Sequence, residues 1–136
     1  MSHTAKALVL HCMDFRFVHD ILHEMKRRGL DRQYDDVSLA GAAKNIVDPM
    51  QAHDPEITMR QIQLAKQLHG ITDVYVINHL DCGAYGKIFS SPEEEHERHV
   101  SDLRKAKQMI EGVTGLNVHT MIASIKDGQV GFEEIL

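Results

Sequence analysis

The chain has 136 residues and a formal net charge of −5 at pH 7. A domain of this length buries roughly two thirds of the surface that its unfolded chain exposes, so it needs no disulfides to hold a core. The acidic balance argues against a nucleic-acid partner. No apolar run suits a signal peptide or a membrane span, so we expect a cytoplasmic protein without a membrane partner, folded as one domain over residues 1–136.

The first predicted element is a short apolar strand over residues 6–12, which leads into the motif Cys-Met-Asp-Phe-Arg at residues 12–16. Apolar residues then recur at helical spacing from Phe15 to Met25, before Gly29. This pattern predicts an amphipathic helix that ends at the glycine. The chain therefore starts with a strand and a helix, and the polar motif lies between them.

The next strand is predicted over residues 36–40, and it is followed by a helix that starts at Asp54-Pro55-Glu56 and stops at Gly70. Asp54 is the predicted N-cap, and proline suits the first helical position. Residues 73–78 are rich in Val, Ile and Tyr, as in a strand buried on both faces of a parallel sheet. A second polar motif, His-Leu-Asp-Cys-Gly at residues 79–83, follows this strand directly.

The last third of the chain predicts a long helix and a hairpin. A capping box at residues 91–94 opens a charged helix that runs to about Glu111. His96 and His99 lie on this helix, and we expect both to be solvated. Residues 117–126 and 129–135 resemble two strands joined at Asp127-Gly128, a dipeptide typical of tight hairpin turns.

Alternating strands and helices predict an α/β fold, a three-layer sandwich with a mainly parallel central sheet and a C-terminal hairpin. Ligands of such sheets bind beyond the carboxyl ends of the strands. Both polar motifs fall there. If the first and third strands are neighbours, Cys12 meets His79 and Cys82 at one crevice.

Cys12, His79 and Cys82 are a donor set that suits zinc, because zinc prefers thiolate and imidazole ligands. Three protein ligands leave the fourth tetrahedral position for water or substrate, which is typical of a catalytic site. The alternative is two unrelated buried thiols and a core histidine. Asp81 either orients a group of the site or caps backbone N–H groups of the turn after His79, and we expect capping. The acidic run at residues 93–95 suits the positive end of a helix dipole and needs no metal.

The sequence resembles the β-class carbonic anhydrases over most of its length. The resemblance rests on Cys-x-Asp-x-Arg after the first strand, Ala40-Gly41 after the second, His-x-x-Cys-Gly after the third, and the terminal hairpin. It implies that Cys12, His79 and Cys82 bind Zn²⁺ and that Asp14 and Arg16 form a catalytic dyad. It also implies reversible hydration of CO2 to bicarbonate by zinc-bound hydroxide, in a homodimer or a higher homo-oligomer.

Two departures from the family pattern leave the substrate open. Phe15 stands between Asp14 and Arg16, where a small residue is common, and Ser38-Leu39 replaces a frequent Arg-Asn pair. One alternative is therefore a zinc hydrolase of a CO2 analogue such as carbonyl sulfide or carbon disulfide. Another is a zinc-binding module of the same fold that lacks catalysis. The presence of both Asp14 and Arg16 favours an enzyme.

Overall fold

The computed structural model describes residues 3–136, which form five strands and four α-helices. The strands are β1 (Ala7–His11), β2 (Tyr34–Ser38), β3 (Asp73–His79), β4 (Asn117–Lys126) and β5 (Gln129–Ile135). The helices are α1 (Val18–Arg27), α2 (Lys44–Val47), α3 (Asp54–His69) and α4 (Pro92–Thr114). A 3₁₀ turn at Gly83–Tyr85 begins at the last residue of the second polar motif.

The strands form one sheet in the order β2-β1-β3-β4-β5. The first four are parallel to one another, and β5 turns back antiparallel on β4. Asp127 and Gly128 join this hairpin with φ values of 53° and 76°, so both central residues are left-handed, as a two-residue type I′ turn requires. The mainly parallel sheet and the C-terminal hairpin that the sequence predicts are confirmed.

Helices cover both faces of the sheet, because alternate residues of a strand point to opposite sides. On one face, Phe17, Ile21 and Met25 of the α1 segment pack with Val9 and Met121. On the other face, α2, α3 and α4 pack against β1 and β3. The helices contribute Ile46, Ile62, Leu103 and Ile110, and the strands contribute Leu8, Leu10, Val74 and Val76. The three-layer arrangement follows from these two apolar clusters.

Several element boundaries differ from the sequence-based expectation. The second strand begins earlier, at Tyr34, and ends at Ser38. His53 occupies the N-cap of α3, so the Asp54 predicted as the cap is the first helical residue, and its carboxylate accepts a hydrogen bond from the N–H of Gln51. The four-residue helix α2 was not predicted, because one turn is too short for a periodic apolar pattern to emerge.

Among residues 3–136, no helix combines the length and the apolar character that a membrane crossing requires.

Candidate metal centre

The three predicted metal ligands meet at the carboxyl ends of β1 and β3. These strands are adjacent and parallel, with His11 paired to Ile77, so Cys12 and His79 leave the sheet side by side. Cys82 returns to the same point after a short turn. Their ligand atoms all lie within 4.8 Å of one another, the two sulfurs are 3.9 Å apart, and all three residues are buried. This cluster can hold a metal ion.

The histidine of the cluster is oriented as a ligand. Nδ1 of His79 donates to the backbone carbonyl of Leu80 at 2.8 Å, which leaves the lone pair on Nε2. Within residues 3–136, Nε2 has no hydrogen-bond partner although it is buried. The Phe17 ring stacks on the imidazole with 4.4 Å between centroids and restricts its rotation. An unpartnered buried nitrogen beside two sulfurs fits the tetrahedral N and S ligands of zinc.

The thiols of the cluster differ in their electrostatic environment. A hydrogen bond from Cys82 is the main cause that lowers the pKa of Cys12 far below its ordinary value, and the neighbouring His79 acts in the same direction, although burial opposes both. The N–H of Gly41, 3.4 Å from Sγ, adds to this effect. The pKa of Cys82 is raised, because that thiol donates to Cys12 and is buried. A cluster that stabilises one thiolate before any ion binds is suited to a cation.

Asp14 and Arg16 form a tight pair beside the cluster. Nε of Arg16 donates to Oδ1 of Asp14 at 3.0 Å, and Nη2 donates to Oδ2 at 2.8 Å. These bonds, which outweigh partial burial, lower the pKa of Asp14 to about 2. Oδ2 of Asp14 also lies 3.6 Å from Nε2 of His79. An ionised, oriented carboxylate therefore adjoins the position that a metal would occupy.

Arg16 has a second carboxylate partner, Asp81. Its Nη1 donates to Oδ2 of Asp81 at 3.2 Å, and its Nη2 donates to the carbonyl of Asp81 at 3.0 Å. Asp81 thus binds the guanidinium with its side chain rather than capping the turn as expected. The N–H of Asp81 is instead bound by Glu95 at 2.7 Å.

The three residues that depart from the family pattern, Phe15, Ser38 and Leu39, do not belong to the cluster. Phe15 is 87% exposed, so its ring points to solvent and does not narrow the space beside Asp14. Leu39 packs against the apolar core. Gly41 approaches the site more closely, since a Cβ there would lie only 3.2 Å from Cβ of Ala84.

The expectation that His99 is solvated is wrong, because its side chain is fully buried. It shares one helix face with Leu103, Ala106 and Ile110, which face the sheet. Burial lowers the pKa of His99, although Glu95 acts in the opposite direction. His96 is 40% exposed and pairs with Glu133 at 2.6 Å, as a partly solvated surface histidine can.

A buried polar network extends from the cluster into α4. Asn78, next to the candidate ligand His79, donates to the Tyr85 hydroxyl at 3.0 Å, and Tyr85 donates to Asp102 at 2.8 Å. Tyr85 and Asp102 are 5% and 2% exposed. None of these residues belongs to a recognisable motif. Only the placement of Asp102 on the inner face of α4, three residues after His99, could have marked it in the sequence.

Comparison with known proteins gives one family match and two similar chains of Rickettsia. A family model described as "Putative carbonic anhydrase" matches residues 2–127. An uncharacterized protein of Rickettsia bellii (strain RML369-C) is 33% identical over 132 residues, which cover 93% of this chain and 80% of the relative. An uncharacterized protein of Rickettsia conorii (strain ATCC VR-613 / Malish 7) is 30% identical over 132 residues, with coverages of 93% and 70%.

Solved structures of β-carbonic anhydrases share the fold at low sequence identity. β-Carbonic anhydrase isoform I of Trichomonas vaginalis superposes with a TM-score of 0.59 at 12% identity, covering 97% of this chain and 85% of that one. A mutant of the β-carbonic anhydrase CafD of Aspergillus fumigatus gives a TM-score of 0.61 at 12% identity, with coverages of 97% and 90%. At these identities the similarity is one of fold.

Proposed function

The chain belongs to the carbonic anhydrase family whose model it matches, and from this premise we propose that it is a zinc-dependent enzyme that interconverts CO2 and bicarbonate. The resemblance to β-class carbonic anhydrases that its motifs predict is confirmed for family and fold. The proposal concerns the reaction and the residues that perform it. The observation that carries it is an oriented Cys-His-Cys cluster beside an intact Asp14–Arg16 pair.

Cys12, His79 and Cys82 would hold the zinc ion. When bound, zinc acidifies a coordinated water and so supplies a hydroxide nucleophile near neutral pH. His79 offers the metal a neutral imidazole, because its Nδ1 proton is committed to Leu80. Gly41 donates its N–H to the Cys12 sulfur and so helps to hold that thiolate in place.

Asp14 would orient the reacting water and Arg16 would orient Asp14. The low pKa of Asp14, about 2, keeps it ionised as a hydrogen-bond acceptor throughout the physiological range. Two side-chain bonds from Arg16 hold both carboxylate oxygens and offset a charge that would otherwise disfavour a neighbouring hydroxide. These contacts also hold Asp14 back from acting as a fourth ligand.

The alternatives, a sulfur-analogue hydrolase and a zinc module without catalysis, are outcomes of the same test. The exposed ring of Phe15 removes one reason for preferring a CO2 analogue as the substrate.

We further propose a single domain over residues 1–136 that works in the cytoplasm, where a reducing setting keeps both thiols free to bind metal. We also propose that the chain assembles into a homodimer or a higher homo-oligomer.

The test is stopped-flow CO2 hydration by protein of known zinc content, from about pH 6.5 to about pH 9. We expect Asp14→Ala to keep its zinc and to lose at least about 100-fold in kcat/KM, as the loss of a positioned proton acceptor does. Asp31→Ala, an exposed acid outside the site, is the control and should match the wild type. Turnover unchanged in Asp14→Ala would reject the dyad.

A measurement of zinc content completes this test. Cys82→Ser should lose zinc by elemental analysis, because only two protein ligands would remain. Zinc content unchanged in that variant would remove the second motif from the site. A fully zinc-loaded wild type without hydration at any pH would exclude carbonic anhydrase activity, and carbonyl sulfide and carbon disulfide would then be the substrates to assay.

A further inference from the structure

Glu95 reaches from the first turns of α4 to the turn that carries Cys82. Its Oε2 accepts hydrogen bonds from the N–H of Asp81 at 2.7 Å and the N–H of Cys82 at 3.4 Å. The side chain is only 14% exposed. One carboxylate oxygen therefore binds two successive N–H groups between the ligands His79 and Cys82, and the proposed reaction gives it no role.

The turn that Glu95 holds does not have a relaxed conformation. Asp81 has a φ of 58°, in the left-handed region that a non-glycine residue seldom adopts. Such a conformation persists only where its surroundings impose it. The surroundings here are Arg16, which binds the carbonyl and carboxylate of Asp81, and Glu95, which binds its N–H.

A chain of hydrogen bonds determines how His99 supports Glu95. The N–H of Ala43 donates to Oδ1 of Asn78 at 3.0 Å. The NH2 end of the Asn78 side chain must therefore face His99 and Tyr85. Nδ2 of Asn78 then donates to Nδ1 of His99 at 2.9 Å. The proton of a neutral His99 is consequently on Nε2, which lies 3.5 Å from Oε2 of Glu95. Within residues 3–136 this buried Nε2 makes no hydrogen bond, and it forms a longer, electrostatic contact with the Glu95 carboxylate.

We infer that Glu95 is a positioning residue for the metal: backed by His99, its carboxylate fixes the turn at Asp81 and Cys82 so that the Cys82 sulfur and the His79 nitrogen converge on one ion. The inference rests on the metal-binding part of the proposed function and is independent of the substrate. Outer partners of this kind orient ligands and set metal affinity.

The neighbours of Glu95 separate this role from that of a helix-dipole charge. Glu93 lies in the same first turn of α4 and is exposed, and its side chain makes no hydrogen bond or ion pair within residues 3–136. Glu94 binds Ser90, outside the ligand turn. The negative charges of all three acids stabilise the start of the helix, but among these acids only Glu95 binds the turn that carries Cys82. Glu93 is therefore the matched control.

The experiment measures the rate at which the zinc-loaded full-length chain gives up zinc to an excess of a chromophoric chelator. We expect Glu95→Ala to release zinc about 10- to 100-fold faster than the wild type. Glu95→Gln, which keeps one acceptor oxygen, should fall between them. Glu93→Ala and Glu93→Gln should match the wild type. Wild-type release by both Glu95 variants would overturn the inference.

Thermal melting of the zinc-free variants separates positioning from general stability. If Glu95→Ala lowers the melting temperature of the zinc-free chain while its zinc release stays at the wild-type rate, the residue is merely structural and the inference fails. If Glu95→Ala does not fold, the release rate of Glu95→Gln decides in the same way.

The wild type itself distinguishes this failure from failure of the proposed function. A wild type that binds no zinc overturns both. A wild type that binds zinc without hydrating CO2 overturns the proposed activity alone, and the release rates of the Glu95 variants still test the inference.

Discussion

Gly41 is the residue at which backbone space matters most for the site. Its φ is 85°, and a Cβ at this position would lie 3.0 Å from Cβ of Lys44 and 3.2 Å from Cβ of Ala84. Its N–H also donates to the Cys12 sulfur. The absence of a side chain thus permits both a left-handed backbone and the close approach of the Gly41 loop to Ala84, which follows Cys82 by two residues.

Gly41→Ala should lower the free energy of unfolding by about 1–3 kcal/mol, because it adds a crowded methyl group to a strained backbone. Gly70→Ala is the control, since Gly70 is also left-handed, with a φ of 63°, but its added Cβ would meet nothing within 4 Å. Urea denaturation of both variants measures the difference. Equal losses would show that the close approach at Gly41 adds nothing to the cost of the backbone conformation.

Helix α4 owes its first turn to a side-chain cap. Ser91 has an extended backbone, and its hydroxyl accepts a hydrogen bond from the N–H of Glu94 at 3.1 Å. We expect Ser91→Ala to cost about 1 kcal/mol of stability. Ser101→Ala, at an exposed position within the same helix, should be neutral or slightly stabilising, because alanine favours helix interiors. Chemical denaturation of the two variants checks the contrast, and a neutral Ser91→Ala would rule out a significant cap.

Strands β3 and β4 are joined near their amino ends by a pH-sensitive pair. His119 binds Asp73 at 2.8 Å and stacks on Tyr75. Burial raises the pKa of Asp73, but hydrogen bonds from His119 and Thr72 outweigh it and lower the pKa below its ordinary value. A carboxylate with a lowered folded pKa stabilises the fold above the unfolded pKa, near 4, and this contribution is lost as pH falls through the folded value.

Asp73→Asn should therefore lower stability at neutral pH by less than about 1 kcal/mol, since the pair is partly exposed. The difference from the wild type should shrink as the pH falls below about 4. Urea denaturation over a pH series measures this convergence, with Asp31→Asn as the control. Stability curves of the wild type and Asp73→Asn that stay parallel into acid would contradict the linkage.

Element patterns were sufficient to predict most of this architecture. Buried strands, a helix N-terminus with proline and an Asp-Gly turn are local signals, and they located β3, α3 and the β4–β5 hairpin closely. The convergence of Cys12 with Cys82 required only that β1 and β3 be neighbours. The roles of metal ligand and dyad given to these residues stay predictions.

Contacts that depend on packing could not be read from the sequence. Arg16 meets Asp81, and Glu95 meets the Asp81 N–H, because tertiary structure brings residues from separate loops and helices together. His99 is different. Its spacing to Leu103, Ala106 and Ile110 put it on the apolar face of α4, but the charged residues around it concealed that pattern.

Among the exposed apolar side chains of the molecule, four form a surface along the segment that runs from the first polar motif into α1. Met13, Phe15, Val18 and Leu22 are 63%, 87%, 45% and 55% exposed, along the start and the outer side of α1. Clustered apolar exposure of this kind is typical of interfaces. The proposed homodimer or higher homo-oligomer would cover this surface.

Sedimentation velocity should accordingly show a species of at least two chains. Leu22→Asp should shift it towards the monomer, because a buried unpaired charge is costly at an interface. Leu68→Asp, at a similarly exposed position on α3, is the control and should not change the mass. A monomeric wild type would reject the oligomer, and an unchanged Leu22→Asp would exclude the α1 surface as its interface.

The sequence separation of the two sulfurs has a consequence for how the protein is made. Cys12 directly follows the first strand, and Cys82 comes 70 residues after Cys12. At typical synthesis rates the ribosome needs about 4 to 14 s to cover that distance. During this interval the nascent chain carries a thiol whose partners do not yet exist. In the proposed zinc enzyme, loading with metal is therefore a late event of biosynthesis, because the three ligands exist together only after Cys82 has been made.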